Sequence, residues 1–586
     1  MAQETPVPGV LSGVGTDATR GAATALNNAA ALQSDAATPQ LAPPGSEAFA
    51  AVASAREVSE IVFTGDTAFA EKQKLRDRIL DAVSAGATVG EAFRTIHESL
   101  IHDGFYLARL SPDYNEASKT LTVRVETGAF GDKSVVFINR ETENGRWFSK
   151  RQIERRFADL APGDTFNYRQ LYRRLSEVNA SPDLTLDTHI TVRAAADDDG
   201  QVMRYADLGF TVKERFPFHA MLEVNNYATE ELGDWQAQLT LQYLNLTRAD
   251  DVLTLSPGMS LNGDLLTLAG SYMRPHHLWK GGATTLYGGY SQLDSKDIVP
   301  RIDLEGTGWF GGLMESFKLV DNDSYLLSLS AGLMYRYVED QFTARSGNES
   351  LKLQKRNVSV LPLTVSLAYS DRSPDFLRGR NFAALSGIYN IWAGGDNTLE
   401  EMWYGAPDHY TIARLQLARL QPLFGFRDAK ANPIHQWTLF LKAEGQYSPD
   451  PLIPAEKLFL GGFQTVRGYT TKSVLGDSGV YASAEFRTPI LLDTLGQFIP
   501  FGKEGVRTPL DRIQFLVFLD AGYAQQEDPL PGSFKNEKML SCGAGMRFAL
   551  TSYSQFRFDY GIPLVKIDSD ENNSSGMFYV SGQLQF

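Results

Sequence analysis

The stretch GGFQTVRGYT (Gly461–Thr470) places a guanidinium in a glycine-rich and aromatic setting. Within its motif VRGY (Val466–Tyr469) the charge belongs to Arg467. A guanidinium that is shielded from water requires a carboxylate partner. Its planar group can donate two parallel hydrogen bonds to the two oxygens of one carboxylate. The surrounding loop, residues 447–479, is among the longest between the predicted strands, and long loops are usually functional or disordered. The stretch therefore predicts a functional loop with an acidic partner for Arg467.

A candidate carboxylate follows from strand phase in IQFLVFLDAGY (Ile513–Tyr523). Successive side chains of a strand point to opposite faces. Every second residue from Ile513 to Tyr523 is apolar and points outward. The alternate residues Phe518, Asp520 and Gly522 therefore point inward. Gly522 leaves room for another chain segment beside the carboxylate. Two interpretations stay open at this point: Arg467 pairs with Asp520, or the guanidinium is solvated and the carboxylate only lines water.

Alternation with a period of two residues runs through residues 215–586. In WQAQLTLQY (Trp235–Tyr243), large apolar residues occupy one face, and glutamine and threonine occupy the other. QWTLFLKAEGQY (Gln436–Tyr447) and MFYVSGQLQF (Met577–Phe586) repeat the pattern. An apolar outer face opposed by a polar inner face is typical of a membrane barrel. We predict an all-β transmembrane barrel of about sixteen antiparallel strands, with a soluble all-β domain as the alternative.

The chain before the barrel divides into three segments. Residues 1–55 are rich in Ala, Pro, Thr, Ser and Gly and predict a linker, with a docked helix as the alternative. Residues 56–130 show the order strand, helix, helix, strand, strand, and residues 131–214 repeat it. A capping box, TVGE (Thr88–Glu91), begins one helix, and FYLARL (Phe105–Leu110) predicts a strand. Repetition of one supersecondary unit indicates two tandem α+β modules.

The composition limits the classes of function. The chain has 70 acidic and 55 basic side chains and a net charge of −15, which argues against a nucleic-acid partner because such proteins normally carry a basic excess. One cysteine, Cys542, cannot form an intrachain disulfide or a cysteine zinc cluster. The sequence has no GxxxxGK[ST] loop, and we expect neither a cofactor nor a metal. No stretch approaches 18 uncharged apolar residues, so we expect no membrane-spanning helix.

Several motifs together resemble a known superfamily. VRGY, the inward motif FLDAG (Phe518–Gly522) and the terminal Phe586 resemble the outer-membrane proteins that join periplasmic POTRA domains to a barrel. Two modules before the barrel resemble the two-partner secretion branch of type V secretion, the TpsB translocators of the haemolysin secretion/activation kind. The segments Asn144–Asp183, Pro451–Tyr469 and Gly476–Ile490 add to the likeness, which covers nearly the whole chain after the linker.

The resemblance implies specific roles for residues. It implies a lock between the loop and the barrel wall, formed by Val466, Arg467, Gly468, Tyr469, Phe518, Asp520 and Gly522. It implies a partner-binding groove in the first POTRA domain, for which we select Phe93, Leu100, Phe105 and Leu107, and a membrane-assembly signal at Phe586. In this branch a helix near the N-terminus plugs the pore. Because residues 1–55 are nearly all small, both a linker and a plug stay open.

We therefore predict an outer-membrane translocator of a Gram-negative bacterium, with its N-terminal domains in the periplasm. The POTRA domains would catch an unfolded partner exoprotein (TpsA-like) by strand addition at a sheet edge, where backbone hydrogen bonds supply affinity. Folding of the passenger outside would supply the energy. Other expected partners are outer-membrane lipid and the barrel-assembly machinery that inserts the chain. We expect a monomer without enzyme activity or a nucleic-acid partner.

Three alternatives remain. An insertase for barrel proteins belongs to the same superfamily, but two modules rather than five argue against it. A passive porin would carry rings of charged side chains at its constriction, whereas the distinctive feature of this barrel is one long loop. A barrel enzyme such as a phospholipase would need an exposed Ser–His pair at the membrane edge, and the eight histidines offer no convincing one.

Overall fold

The structure is a computed structural model that describes most of the chain outside its N-terminal segment. The described residues are 58–65, 72–91, 100–101, 103–138, 145–196, 202–228, 234–276, 281–299, 302–322, 324–346, 349–395, 399, 405–426, 435–492, 512–529, 534–551, 553–567 and 576–586. The chain divides into two units, of which one ends at Pro217 and the other begins at Phe218. Within the described ranges no helix has the length and apolarity needed to span a bilayer. The predicted linker or plug, residues 1–55, lies outside them.

The first unit begins with a small mixed sheet. Its elements are β1 (Glu60–Gly65), α1 (Lys72–Ser84), β2 (Arg109–Asn115) and β3 (Thr120–Glu126). The sheet order is β1-β3-β2, with β1 parallel and β2 antiparallel to the central β3. A parallel pair needs a crossover connection, which the helical segment between β1 and β2 provides. Strand β2 therefore lies at an edge of the sheet.

Local signals explain where the helices and strands of this module start. The Thr88 backbone N–H donates to Glu91 Oε2 at 2.9 Å, and the Glu91 N–H donates to Thr88 Oγ1 at 3.3 Å, which confirms the predicted capping box. The strand predicted over Phe105–Leu110 begins only at Arg109. Its first residues form a turn instead, in which the Ala108 N–H donates to the Phe105 carbonyl at 3.1 Å.

The second module has a sheet of the same topology and two described helices. It comprises β4 (Ala129–Phe137), α2 (Lys150–Arg156), α3 (Tyr168–Asn179), β5 (Leu184–Ala196) and β6 (Val202–Glu214). Its sheet order is β4-β6-β5, again with the first strand parallel to the last. The two sheets share one topology, and the assignment of the two segments as tandem POTRA domains stays a prediction. Strand β4 starts two residues before the predicted boundary at residue 131.

Each module has an apolar core. In the first, the core residues are Ile61, Ile79, Val89, Leu100, Ala108, Leu121 and Val123. The second has a larger and more aromatic core that includes Phe130, Phe148, Ile153, Phe157, Phe166, Leu171, Leu186, Leu208 and Phe210, and that Leu107 also joins. Burying one such side chain contributes about 1.5–3 kcal/mol, so these clusters hold the helices on their sheets.

The second unit is a closed barrel. Its strands are β7 (Phe218–Asn225), β8 (Gln236–Leu244), β9 (Val252–Ser260), β10 (Leu265–His276), β11 (Gly282–Val299), β12 (Ile302–Asp321), β13 (Tyr325–Ser346), β14 (Glu349–Asp371), β15 (Arg380–Gly394), β16 (Thr411–Phe426), β17 (His435–Tyr447), the short β18 (Leu458–Leu460) and β19 (Val474–Gly476), then β20 (Ser478–Arg487), β21 (Leu491–Leu492), β22 (Arg512–Gln525), β23 (Asn536–Thr551), β24 (Ser554–Pro563) and β25 (Met577–Gln585).

The wall of the barrel has sixteen positions within the described part of the chain. Strands β20 and β21 both pair with β22 and so share one position, while β18 and β19 pair only with each other. Neighbouring wall strands are antiparallel, and β25 closes the barrel against β7. The prediction of an antiparallel transmembrane barrel of about sixteen strands is confirmed.

The phase of β22 shows which way its side chains point. Val517 and Leu519 are 55% and 50% exposed, whereas Phe518 is 4% exposed and Asp520 is fully buried. Exposed apolar side chains of a barrel strand face the lipid, and the alternate residues face the lumen. Asp520 therefore points into the lumen, as the sequence pattern predicts.

The last residue takes part in the closing seam. Phe586 donates its backbone N–H to the carbonyl of Ala220 at 2.8 Å and accepts from the Ala220 N–H at 3.1 Å. Its side chain is 71% exposed. These bonds extend the pairing of β25 with β7 by one residue.

Candidate functional site

The connection between β17 and β20 folds back into the barrel. Its middle forms the hairpin of β18 and β19, with Leu458 opposite Gly476. At its tip, Val466 packs on the lumenal side of Gly522, because a Cβ added at that glycine would lie 2.9 Å from Val466 Cγ2. We call this connection, Ser448–Asp477, the lumenal loop.

Arg467 binds the wall from the tip of the lumenal loop. Its Nε donates to Asp520 Oδ2 at 2.7 Å and its Nη2 donates to Asp520 Oδ1 at 2.8 Å. The Arg467 backbone N–H adds a third bond to Oδ2 at 3.1 Å. Arg467 is 4% exposed and Asp520 is fully buried. Two parallel N–H···O bonds fix the orientation of both groups, which a point charge such as lysine cannot do.

Three further groups of the barrel wall contact the guanidinium. Nη1 donates to Glu485 Oε1 at 2.7 Å and Nη2 donates to Ser483 Oγ at 3.0 Å. The Ser483 hydroxyl in turn donates to Asp520 Oδ1 at 2.6 Å. The guanidinium carbon of Arg467 lies 3.5 Å from the centroid of the Phe518 ring, an arrangement in which the ring face attracts the cation. Four of the five guanidinium N–H groups thus donate to wall acceptors, and the plane of the group packs on an aromatic ring.

The charges around Arg467 cancel. Glu485 binds Arg487 through Oε2 at 2.9 Å, and Arg547 binds Asp559 Oδ1 at 2.7 Å. The other oxygen of Asp559 lies 3.9 Å from Arg467 Nη1. Within the described residues the cluster holds three arginines and three carboxylates: Arg467, Arg487, Arg547, Glu485, Asp520 and Asp559. Its formal charge is zero, which limits the cost of burying ions.

Gly468 lets the backbone of the loop touch the backbone of the wall. Its φ is +96°, and a Cβ there would lie 2.9 Å from the carbonyl carbon of Gly561. A Cβ at Gly561 would lie 2.6 Å from the Gly468 nitrogen. Both a left-handed φ and this close approach require glycine, so two glycines on separate segments make the contact possible.

Two tyrosines hold the residues after Arg467. Tyr579 Oη accepts from the Gly468 N–H at 3.0 Å and donates to the Tyr469 carbonyl at 2.8 Å. The Tyr469 hydroxyl accepts from the Leu540 N–H at 3.1 Å and lies within donating distance, 2.6 Å, of the Val565 carbonyl. Tyr469 is fully buried. These bonds satisfy backbone groups that water cannot reach in the lumen.

The base of the lumenal loop is held by the opposite part of the wall. Glu456 accepts from Arg336 Nη1 of β13 at 2.7 Å and lies 3.6 Å from Arg414 Nη2 of β16. Lys457 Nζ binds Asp477 Oδ1 at 2.8 Å, and the same oxygen accepts from the Leu452 N–H. The loop is therefore tied both to β13 and β16 and to the strands from β20 to β25, and it crosses the lumen between them.

The structure brings all seven predicted lock residues together. Sequence reasoning missed four of their partners: Ser483, Glu485, Asp559 and Tyr579. The first two lie in GDSGVYASAEFRTPI, where the inward strand phase could have found them, as it found Asp520. The same phase places Asp559 and Tyr579 on the inner face, but which loop residues they meet depends on the register of β24 and β25. The functional role of the lock stays a prediction.

The predicted partner-binding residues lie in and near the module cores. Leu100 and Leu107 are each 2% exposed and Phe105 is half-buried. Phe93 lies outside the described residues. The accessible feature nearby is the edge strand β2, with Asp113 exposed. Partner binding at this place stays a prediction.

The chain matches the sequence profile of one protein family over more than half its length. The profile is that of the haemolysin secretion/activation protein ShlB/FhaC/HecB, and it matches residues 205–548. The hemolysin transporter protein ShlB of Serratia marcescens is 23% identical over 354 residues, which are 59% of this chain. The alignment spans 58% of the length of that relative.

Solved structures share the fold at low sequence identity. CdiB from Escherichia coli superposes with a TM-score of 0.66 at 17% identity, over 97% of this chain and 99% of that one. CdiB from Acinetobacter baumannii gives a TM-score of 0.59 at 15% identity, over 97% and 98% of the two chains. The family profile covers residues 205–548, whereas the fold shared with these two structures covers nearly the full length of the chain.

Proposed function

This chain belongs to the haemolysin secretion/activation family ShlB/FhaC/HecB, and from that membership we propose that it exports one class of partner exoprotein across the outer membrane. It is a two-partner secretion barrel of the outer membrane, with its N-terminal domains in the periplasm. The family is one of transporters and not of enzymes. The exported protein would pass through the barrel in an unfolded state.

The observation that carries this proposal is the lumenal loop and its buried lock. A passive porin needs an open aqueous path, whereas here a loop crosses the lumen and is bound to both sides of it. Because the loop occupies the lumen, it must be displaced before anything can pass. A requirement for displacement favours a transporter that opens for one class of substrate. We infer that Arg467 and Asp520 hold the loop in place between transport events.

We further propose that the first module recognises the exoprotein at its sheet edge. Strand β2 pairs with β3 on one side, and its side chain at Asp113 is exposed. An extended segment can add to such an edge through main-chain hydrogen bonds. The neighbouring Leu100 and Leu107 are buried, so they would shape the edge and the groove beside it through packing.

A photo-crosslinking experiment tests recognition at this edge. A photoreactive residue replaces Asp113 on β2, and a matched one replaces Asp187, which is exposed on the edge strand β5 of the second module. During export we expect the exoprotein to crosslink at position 113 and not at position 187. Equal crosslinking at both positions, or none at 113, contradicts recognition at the first edge.

Deletion of the gene tests the export function itself. We expect loss of one secreted protein from the medium, with the outer-membrane proteome unchanged by quantitative mass spectrometry. Depletion of many barrel proteins would instead identify an insertase. Unchanged secretion together with reduced uptake of small solutes would identify a porin. Complementation with the unaltered chain controls for effects on neighbouring genes.

A further inference from the structure

The connection between β14 and β15 lies on the lipid side of the barrel. Leu385 on β15 is 54% exposed and pairs with Leu415 on β16, which is 43% exposed, so both face lipid. Four residues further along β16 in the same phase, Arg419 pairs with Asn381. The side chains of Arg419 and Asn381 therefore lie on the outer face, below the last lipid-facing leucines.

Polar bonds fix the turn Arg372–Gly379 against these outward-facing side chains. Arg419 Nη1 donates to Asp375 Oδ2 at 2.7 Å, and Asn381 Nδ2 donates to the same oxygen at 3.1 Å. Gln421, in the same phase as Arg419, donates from Nε2 to the Leu377 carbonyl at 2.9 Å. The turn thus lies over the outer face of the barrel rim and not across the lumen.

The turn is also stiffened internally. Asp375 Oδ1 accepts from the Leu377 N–H at 2.9 Å and the Gly379 N–H at 2.8 Å. A Cβ at Gly379 would lie 2.4 Å from Arg419 Nη2, so the arginine head group packs closely on the turn. The hydrogen bonds from Arg419 and Asn381 hold the pKa of Asp375 well below its usual range. The carboxylate therefore stays charged and holds the turn at any physiological pH.

This stiff turn presents apolar side chains outward. Phe376 is 91% exposed, the largest value for any exposed large hydrophobic side chain of the described residues, and Leu377 is 55% exposed. Arg378 beside them is also exposed. Leaving a phenylalanine in water forgoes the free energy of its burial, so a turn built to hold it outward indicates a ligand that covers it.

The topology places this turn on the periplasmic side. The first barrel strand, β7, begins directly after the N-terminal unit, which is periplasmic. Each wall strand reverses direction, so every second connection returns to the side where β7 begins. The connection from β14, the eighth wall strand, to β15 is such a return.

We propose that the turn Arg372–Gly379 is a binding site for anionic phospholipid of the periplasmic leaflet. Phe376 and Leu377 enter the boundary between headgroups and acyl chains, and Arg378 contacts a lipid phosphate. Aromatic side chains prefer this boundary, and basic residues near an anionic surface add attraction. The site fixes the height of the barrel in the bilayer at the rim below β14 and β15.

The test places an environment-sensitive fluorophore on the turn of the full-length chain. The single native cysteine is removed by Cys542→Ser, and Phe376→Cys carries an NBD label in nanodiscs of phosphatidylethanolamine and phosphatidylglycerol. We expect quenching by lipids with a nitroxide near the headgroup and protection from aqueous iodide. Asn262→Cys, in an exposed turn at the other rim, is the matched control and should show the reverse. Iodide quenching at 376 without nitroxide quenching overturns the proposal and would point to a protein partner.

A second pair of variants separates the site from general folding. Arg419→Ala frees the turn, so nitroxide quenching at position 376 should be lost while heat-modifiable migration of the barrel persists. The variant Arg378→Glu, with Phe376 unlabelled, should lose the enrichment of phosphatidylglycerol over phosphatidylethanolamine among lipids retained with the protein. Equal retention in this variant and the unaltered chain contradicts the phosphate contact.

Discussion

Replacing Arg467 by alanine tests the lock most directly. The change removes four side-chain hydrogen bonds, two to Asp520 and one each to Glu485 and Ser483. Asp520 keeps only the Ser483 hydroxyl and the backbone N–H of residue 467. The cluster around it changes from a formal charge of zero to −1.

The structure allows the effect of this change to be estimated. Asp520 is fully buried and Glu485 is 7% exposed, so solvent does little to screen the lost cation. Removing one partner of a buried ion pair costs about 3–5 kcal/mol, because the other charge is left uncompensated. That energy corresponds to a change of about 10²- to 4 × 10³-fold in the ratio of seated to released loop. The barrel wall itself, held by its ladders of hydrogen bonds, should still insert.

Trypsin cleavage of the purified barrel in nanodiscs reports the released population. Lys472 lies in the lumenal loop on an exposed side chain, but the protease needs an extended segment that the lumen does not allow. Cleavage after Lys472 should therefore follow the fraction of released loop. We expect the Arg467→Ala chain to be cut about 10²- to 4 × 10³-fold faster than the unaltered chain, and to secrete no exoprotein from cells.

Two controls give the experiment a definite outcome. Arg512→Ala removes the same kind of charge from an exposed position on the same strand as Asp520 and should leave cleavage and secretion unchanged. The double variant Arg467→Ala/Asp520→Ala restores the neutral cluster and should be cut more slowly than the single variant. If Arg467→Ala matches Arg512→Ala in both assays, the reasoning about the lock is refuted.

Three further predictions concern contacts beside the pair. Gly468→Ala should release the loop as strongly as the arginine variant, because a Cβ at φ +96° would lie 2.9 Å from the backbone of Gly561; slow cleavage would contradict that contact. Tyr579→Phe removes the hydroxyl between the Gly468 N–H and the Tyr469 carbonyl, so it should cost about 1–3 kcal/mol and raise cleavage less than the arginine variant does. Ser149→Ala removes the N-cap of α2 and should lower the free energy of unfolding of the second module by about 1 kcal/mol, measured by denaturant, with loop cleavage unchanged; faster cleavage would show that the modules and the loop are coupled.

The sequence predicts the barrel and one side of the lock because both depend on short-range alternation. A period of two residues assigns an inward phase to Asp520 without knowledge of any partner, and a buried guanidinium narrows the partner to a carboxylate. The count of strands follows from the same pattern. These inferences need only the pleat of a strand.

The remaining parts of the site depend on register between distant strands. Glu485 and Asp559 meet Arg467 only because β20, β22, β23 and β24 are staggered in a particular way. A single sequence does not reveal that stagger. The strand predicted from Phe105 fails at its start for a related reason, since tertiary packing bends the backbone there before Arg109 joins β3.

The unequal lengths of the wall strands have a consequence for a chain that leaves the pore. Strand β13 has 22 residues and β8 has 9, which at about 3.4 Å per residue and a tilt of about 40° reach heights of about 57 Å and about 23 Å. The apolar band of such a barrel is about 25 Å tall. The hairpin of β13 and β14 therefore rises above the cell surface as a one-sided screen. An exported chain would therefore be sheltered along that flank and open to water above β7 and β8.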